Sequence, residues 1–148
     1  MPVIEVDLLL AYLVLEDRHH AVASKYFSRV MSGELTKPLL TPFALQELEL
    51  GVLAQKILPH GKMVKSEGEV AAFMNEICEA LELYGITIQP IEIGTFARAA
   101  EIREKHNLSY YDSHHASAAL YHDKSIVSTD RQYERVKDLA RLDPSKLL

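Results

Sequence analysis

Short apolar runs alternate with longer stretches of helical spacing along the whole chain, and this alternation narrows the available folds more than any other feature. PVIEV reads as a short buried strand over about residues 2–6, followed by a leucine-rich helix, LLLAYLVLE. Asp17 is placed to cap a second helix, RHHAVASKYFSRVMSG, which stops near Gly33. A short strand at Leu39–Leu40 leads to Thr41 and Pro42, which read as N-cap and first position of the helix PFALQELELGVLAQKIL. The next helix spans roughly Ser66 to Tyr84, with an apolar stripe of Val70, Phe73, Met74, Ile77, Leu81 and Tyr84, and Gly85 stops it. ITIQPI is the third strand, followed by a helix from Phe96 to His106, a turn at Asn107–Leu108 and the helix YYDSHHASAALYH. SIVST (125–129) is the fourth strand, DRQYERVKDL begins a short helix, and ARLDP is a last short strand or extended tail. This order predicts an α/β fold: a three-layer α/β/α sandwich around a mostly parallel sheet of four to five strands. With 148 residues, no linker and no internal repeat, residues 1–148 read as a single domain.

The formal charge of −5 does not advertise a nucleic-acid surface, although a local basic patch beside a bound divalent ion remains compatible with RNA. Cys78 is the only cysteine, so no intrachain disulfide or cysteine zinc cluster can form. Its helical setting predicts a small buried apolar residue. No apolar stretch approaches a membrane span, and the N-terminal run has no basic segment before it, so a cytoplasmic location is expected.

In open parallel sheets the functional crevice lies at the carboxyl ends of the strands. Four acids fall near those ends. Asp7 follows the first strand, Glu47 sits in the helix after the second, Asp112 begins the second helix after the third, and Asp130 follows the fourth in IVSTD. Asp7 is conspicuous because apolar residues flank it on both sides. Carboxylates gathered without cysteine form a hard donor set suited to Mg²⁺ or Mn²⁺. Left unpaired they would repel, and a divalent ion removes that cost. Such a site can activate a water and hold a phosphodiester oxygen. Singly, each acid is explained as well by a cap or a surface charge, and only their convergence argues for a site. Glu5, two positions before Asp7, is an accessory acid if strand alternation carries through both.

At these positions the chain resembles the PIN-domain ribonucleases, most closely the VapC-like toxins of toxin–antitoxin pairs. The resemblance runs through VIEVDLLLAYLVLEDRHHAVA, TPFALQELELGVL, LSYYDSHHASAAL and IVSTDRQYERV, nearly the whole chain. Matched residue by residue, the family's acidic quartet falls on Asp7, Glu47, Asp112 and Asp130. The resemblance implies a Mg²⁺- or Mn²⁺-dependent endoribonuclease that leaves a 5′-phosphate and a 3′-hydroxyl. Asp7, Asp112 and Asp130 would be the leading metal ligands. Glu47 would bind directly or through water and orient the nucleophile, and Thr129 and Ser128 would orient a carboxylate. It also implies an RNA substrate, a homodimer and a small antitoxin partner. The family's polar residues after the first aspartate are replaced here by Leu8 and Leu9. That departure supports the alternative of a weakened or inactive RNA- or protein-binding module.

Other residues carry weaker expectations. His115 shares a helix face with Asp112 and can reach substrate phosphate or a neighbouring carboxylate. Arg131 and Arg135 follow Asp130 and can meet RNA phosphates, although solvent-facing charge explains them almost as well. Tyr110 and Tyr111 can stack on a base or pack in the core. His19 and His20 read as capping and surface residues, and neither histidine pair has the spacing of a zinc enzyme. A phosphoacceptor receiver domain would also place acids at strand ends, but it leaves Glu47 and Asp112 unexplained.

Overall fold

The computed structural model describes residues 1–148. Its strands are β1 (Val3–Ile4), β2 (Leu39–Leu40), β3 (Thr87–Ile88), β4 (Ser125–Val127) and β5 (Ala140–Leu142). They form one sheet in the order β3-β2-β1-β4-β5, with every pairing parallel. The helices are α1 (Val6–Leu13), α2 (His20–Met31), α3 (Pro42–Leu53), α4 (Glu67–Tyr84), α5 (Gly94–His106) and α6 (Tyr110–Leu120). Short 3₁₀ turns occupy Pro59–Gly61, Arg131–Arg135 and Pro144–Lys146.

Strand alternation divides the interior into two cores. Ile4, Leu40 and Val127 face a cluster built from α1 to α4. Val3 and Ile126 face the other way, into a cluster with Ile102 of α5, Ala116 and Ala119 of α6, and Tyr133. The result is the expected three-layer α/β/α sandwich. In the larger core Phe27 is fully buried, its ring centroid 4.9 Å from Tyr12, 5.4 Å from Tyr26 and 5.5 Å from Tyr84. The Tyr12 and Tyr84 hydroxyls bond each other.

Several caps form as their residues dictate. Thr41 is the N-cap of α3 and accepts the Ala44 N–H, with Pro42 behind it. Ser66 caps α4, and Gly85 ends it in the left-handed region at φ 64°. Asp17 accepts the His19 N–H at 2.7 Å in the turn before α2, two positions before the observed N-cap, His19, so it is not itself the cap. His20 is not a simple surface residue, since its Nδ1 lies 2.9 Å from the Ala11 carbonyl and ties α2 to the preceding helix.

Other elements are shorter than their sequences suggest. The first strand ends at Ile4, because α1 begins at Val6 and takes Asp7 into its first turn. β3 covers only Thr87–Ile88 of ITIQPI, since Pro90 cannot donate to a ladder and the strand is an exposed edge. α3 stops at Leu53, and Gln55 turns to φ 57°. The segment after Asp130 is a 3₁₀ turn. Cys78 is exposed, contrary to expectation, because α4 buries its neighbour Ile77 and turns position 78 to the solvent face.

β1 and β4 are adjacent, yet the chain leaves β1 toward β2 on one side while β5 follows β4 on the other. Their carboxyl ends therefore frame the topological switch point, where an open sheet leaves a crevice. Phe27→Ala is expected to cost about 3–5 kcal/mol in urea unfolding. A loss under about 1 kcal/mol would mean that the cluster closes around the gap.

Candidate active site

All four acids lie at the carboxyl edge of the sheet. Asp7 and Asp112 occupy the first turns of α1 and α6, where the unpaired N–H groups favour negative charge. Glu47 lies two turns into α3 from the Thr41 cap, and Asp130 follows β4. Their nearness registers electrostatically. Partial desolvation raises the Asp7 pKa above its ordinary value, the carboxylates of Glu47 and Asp112 raise it further, and Asp130 adds to them while His115 opposes. Asp7 still reaches solvent, beside a cleft of about 290 Å³ that Leu8, Arg18 and Thr129 also line and that none of the other three acids lines.

Three of the four acids have distinct support. Glu47 Oε2 lies 2.8 Å from Nε2 of His115, whose Nδ1 is 3.0 Å from Thr41 Oγ1. Thr41 Oγ1 already accepts the Ala44 N–H, so its own proton is available to Nδ1. That assignment leaves Nε2–H of the fully buried His115 to donate to Glu47 and fix its carboxylate. Asp130 accepts the Gln132 N–H at 2.8 Å on Oδ1 and the Gln132 side-chain amide at 3.1 Å on Oδ2, so it caps the following turn as well as facing the site. Asp112 Oδ1 accepts from the Tyr133 hydroxyl at 3.2 Å.

Glu5 is not a cleft-facing accessory acid. The strand has ended before it, and its side chain turns inward to 2% exposure. Ser128 donates its hydroxyl to Glu5 Oε2, and the Tyr133 hydroxyl lies 3.1 Å from Oε1. Burial, then the Asp7 charge, pushes the Glu5 pKa well up, and burial does the same to the Tyr133 phenol. Ser128 thus orients a carboxylate, but that of Glu5. Thr129 lines the cleft without a side-chain hydrogen bond. Arg131 is highly exposed, its Nε 3.9 Å from Glu134. Tyr110 packs edge-on to Tyr111 and His114. His114 is buried against Phe43, and burial with the nearby Arg103 charge lowers its pKa to about 4. Leu8 and Leu9 are core residues at 2% and 1% exposure, so no hydroxyl stands beside Asp7 at those positions.

Four carboxylate carriers with no sulfur ligand match the chemistry of Mg²⁺ or Mn²⁺. As the side chains stand, no three Asp, Glu, His or Cys groups form a ready cage for an ion. The fit is therefore one of donor type and placement, and binding would draw the carboxylates inward.

The raised Asp7 pKa has a thermodynamic consequence. The folded protein holds this proton more tightly than the unfolded chain, so stability falls as pH rises from the ordinary carboxylate range through the raised value. In metal-free protein Asp7→Asn is expected to raise the unfolding temperature at neutral pH, with the gain shrinking as pH falls through the raised value and gone below about 4. Thermal unfolding in chelator across this range checks it, and identical curves for the two proteins would show that Asp7 is not repelled.

Comparison with known proteins agrees with this architecture. Residues 8–139 match the PIN domain family. The chain is similar to the structure of FitAcB from Neisseria gonorrhoeae, at 16% identity and TM-score 0.66, covering 97% of this chain and 98% of that one. It is also similar to a toxin–antitoxin complex from Klebsiella pneumoniae, at 12% identity and TM-score 0.63, with the same coverage. No curated protein matches the sequence. A match over most of its length, on a parallel sheet with acids at the switch point, establishes that this chain belongs to the PIN domain family.

Proposed function

We propose that the protein is a Mg²⁺- or Mn²⁺-dependent endoribonuclease that hydrolyses RNA to 5′-phosphate and 3′-hydroxyl ends, acting as the VapC-like toxin of a toxin–antitoxin pair. The observation that supports this reading is the placement of Asp7, Glu47, Asp112 and Asp130 after the carboxyl ends of the strands around the switch point, where the other three acids each raise the Asp7 pKa. Asp7, Asp112 and Asp130 would hold the metal, with Glu47 binding directly or through water. A bound divalent ion would supply an activated water and charge stabilisation at the phosphodiester.

The chain's own residues divide the remaining work. His115 occupies one oxygen of Glu47, which leaves the other free to accept a proton from the attacking water. Hydrolysis adds hydroxyl to phosphorus, breaks the bond to the 3′ oxygen and delivers a proton to that oxygen. The Asp130 carboxylate, held by Gln132, keeps a fixed orientation. The toxin role rests on family membership and on likeness to a structure described as a toxin–antitoxin complex. A homodimer and a small antitoxin partner belong to the same reading, as does a cytoplasmic location. No helix is long and apolar enough to cross a membrane.

Leu8 and Leu9 favour a second reading, in which a PIN-like module binds RNA or protein without cleaving it. Both leucines are core residues, so this departure removes polar groups beside Asp7 without removing a carboxylate. Purified protein incubated with a panel of structured RNAs is expected to cleave with Mg²⁺ or Mn²⁺. Chelator and Asp7→Asn should each abolish the products, whereas Arg131→Ala should change the rate by less than about threefold, in keeping with an exposed contact. No cleavage across the panel, with no metal binding by calorimetry, would leave the non-catalytic module as the answer.

A further inference from the structure

Two of the proposed ligand carriers are tied to one buried acid that is not itself in the cleft. The Asp130 N–H donates to Ser128 Oγ at 2.9 Å, and the Ser128 hydroxyl donates to Glu5. From the other side, the Tyr133 hydroxyl lies 3.1 Å from Glu5 and 3.2 Å from Asp112. Glu5 and Ser128 lie at the carboxyl ends of β1 and β4, the two strands that frame the switch point. Tyr133 is fully buried in the 3₁₀ turn that Asp130 caps, with its ring in the core shared by α5 and α6. A phenylalanine would fill that ring site equally well, so the hydroxyl is the part that packing leaves unexplained.

We infer that Tyr133, anchored on Glu5, is a positioning residue that fixes the Asp112 carboxylate for the metal site. The inference rests on the nuclease reading and extends it to residues outside the acidic quartet. The hydroxyl and its anchor hold the Asp112 oxygen, while Ser128 fixes the backbone that carries Asp130. A partner of this kind acts through the orientation of a ligand, and its loss commonly lowers metal affinity by roughly 10- to 100-fold.

The test compares wild type, Tyr133→Phe and Glu5→Gln by metal-free crystal structures, Mn²⁺ titration and RNA cleavage kinetics. In Y133F the Asp112 carboxylate is expected to leave its wild-type rotamer. Mn²⁺ affinity should fall roughly 10-fold or more, and kcat should fall with KM for RNA unchanged. E5Q can turn its amide N–H to the Tyr133 oxygen, which leaves the single phenol proton for Asp112, so it should retain the Asp112 rotamer and lose less Mn²⁺ affinity than Y133F. An unmoved Asp112 with wild-type Mn²⁺ affinity in Y133F overturns the inference. So does an E5Q loss as large as that of Y133F, because the effect would then lie in the Glu5 charge. If wild type itself binds no Mn²⁺, the nuclease reading fails, and the Asp112 rotamer in Y133F still decides the positioning role.

Discussion

Like charges held together at the carboxyl edge of a parallel sheet are the constraint on which this structure turns. Asp7 is driven up in pKa by partial desolvation and by Glu47, Asp112 and Asp130, an arrangement that opposes folding unless other groups offset it. The offsets are local and specific. Helix N-termini receive Asp7 and Asp112, His115 braces Glu47, and Gln132 satisfies both oxygens of Asp130. The two apolar cores on either face of the sheet hold these elements in place. Stability is concentrated in the cores, and the like charges at the switch point oppose it.

The buried polar groups show how the site is built from beneath. Glu5, Ser128 and Tyr133 form a bonded set under the cleft, and Thr41 with His115 forms another. Each set links strand ends or helices that are distant in sequence. Polar groups so deeply buried are costly unless satisfied, and here the bonds that satisfy them also orient carboxylates at the surface. The order β3-β2-β1-β4-β5 makes this possible, because it sets β1 beside β4 although more than half the chain lies between them.

Much of this was legible in the sequence because alternation and capping are local. Thr41-Pro42, Ser66 and Gly85 announced their helix ends, and the strand–helix order implied the parallel sheet. Tertiary context decided the rest. Glu5 reads as an accessory acid on the same side as Asp7 only if strand alternation carries through both, and the strand ends at Ile4 with α1 beginning at Val6. Cys78 read as core because helical spacing alone does not say which face meets the sheet, and its polar neighbours Asn75, Glu79 and Glu82 were the available signal. Tyr133 lies within the motif IVSTDRQYERV, but nothing local indicates that its hydroxyl meets two acids from other segments. His115 was placed beside a carboxylate by helical spacing, but its bridge from Glu47 to Thr41 depends on α3 packing against α6.

The account is most directly tested by anomalous diffraction from crystals grown with Mn²⁺. It predicts a manganese peak enclosed by the carboxylates of Asp7, Asp112 and Asp130, with Glu47 reaching it directly or through one water. Manganese bound elsewhere on the protein, with the space between these carboxylates empty at saturating metal, would contradict it.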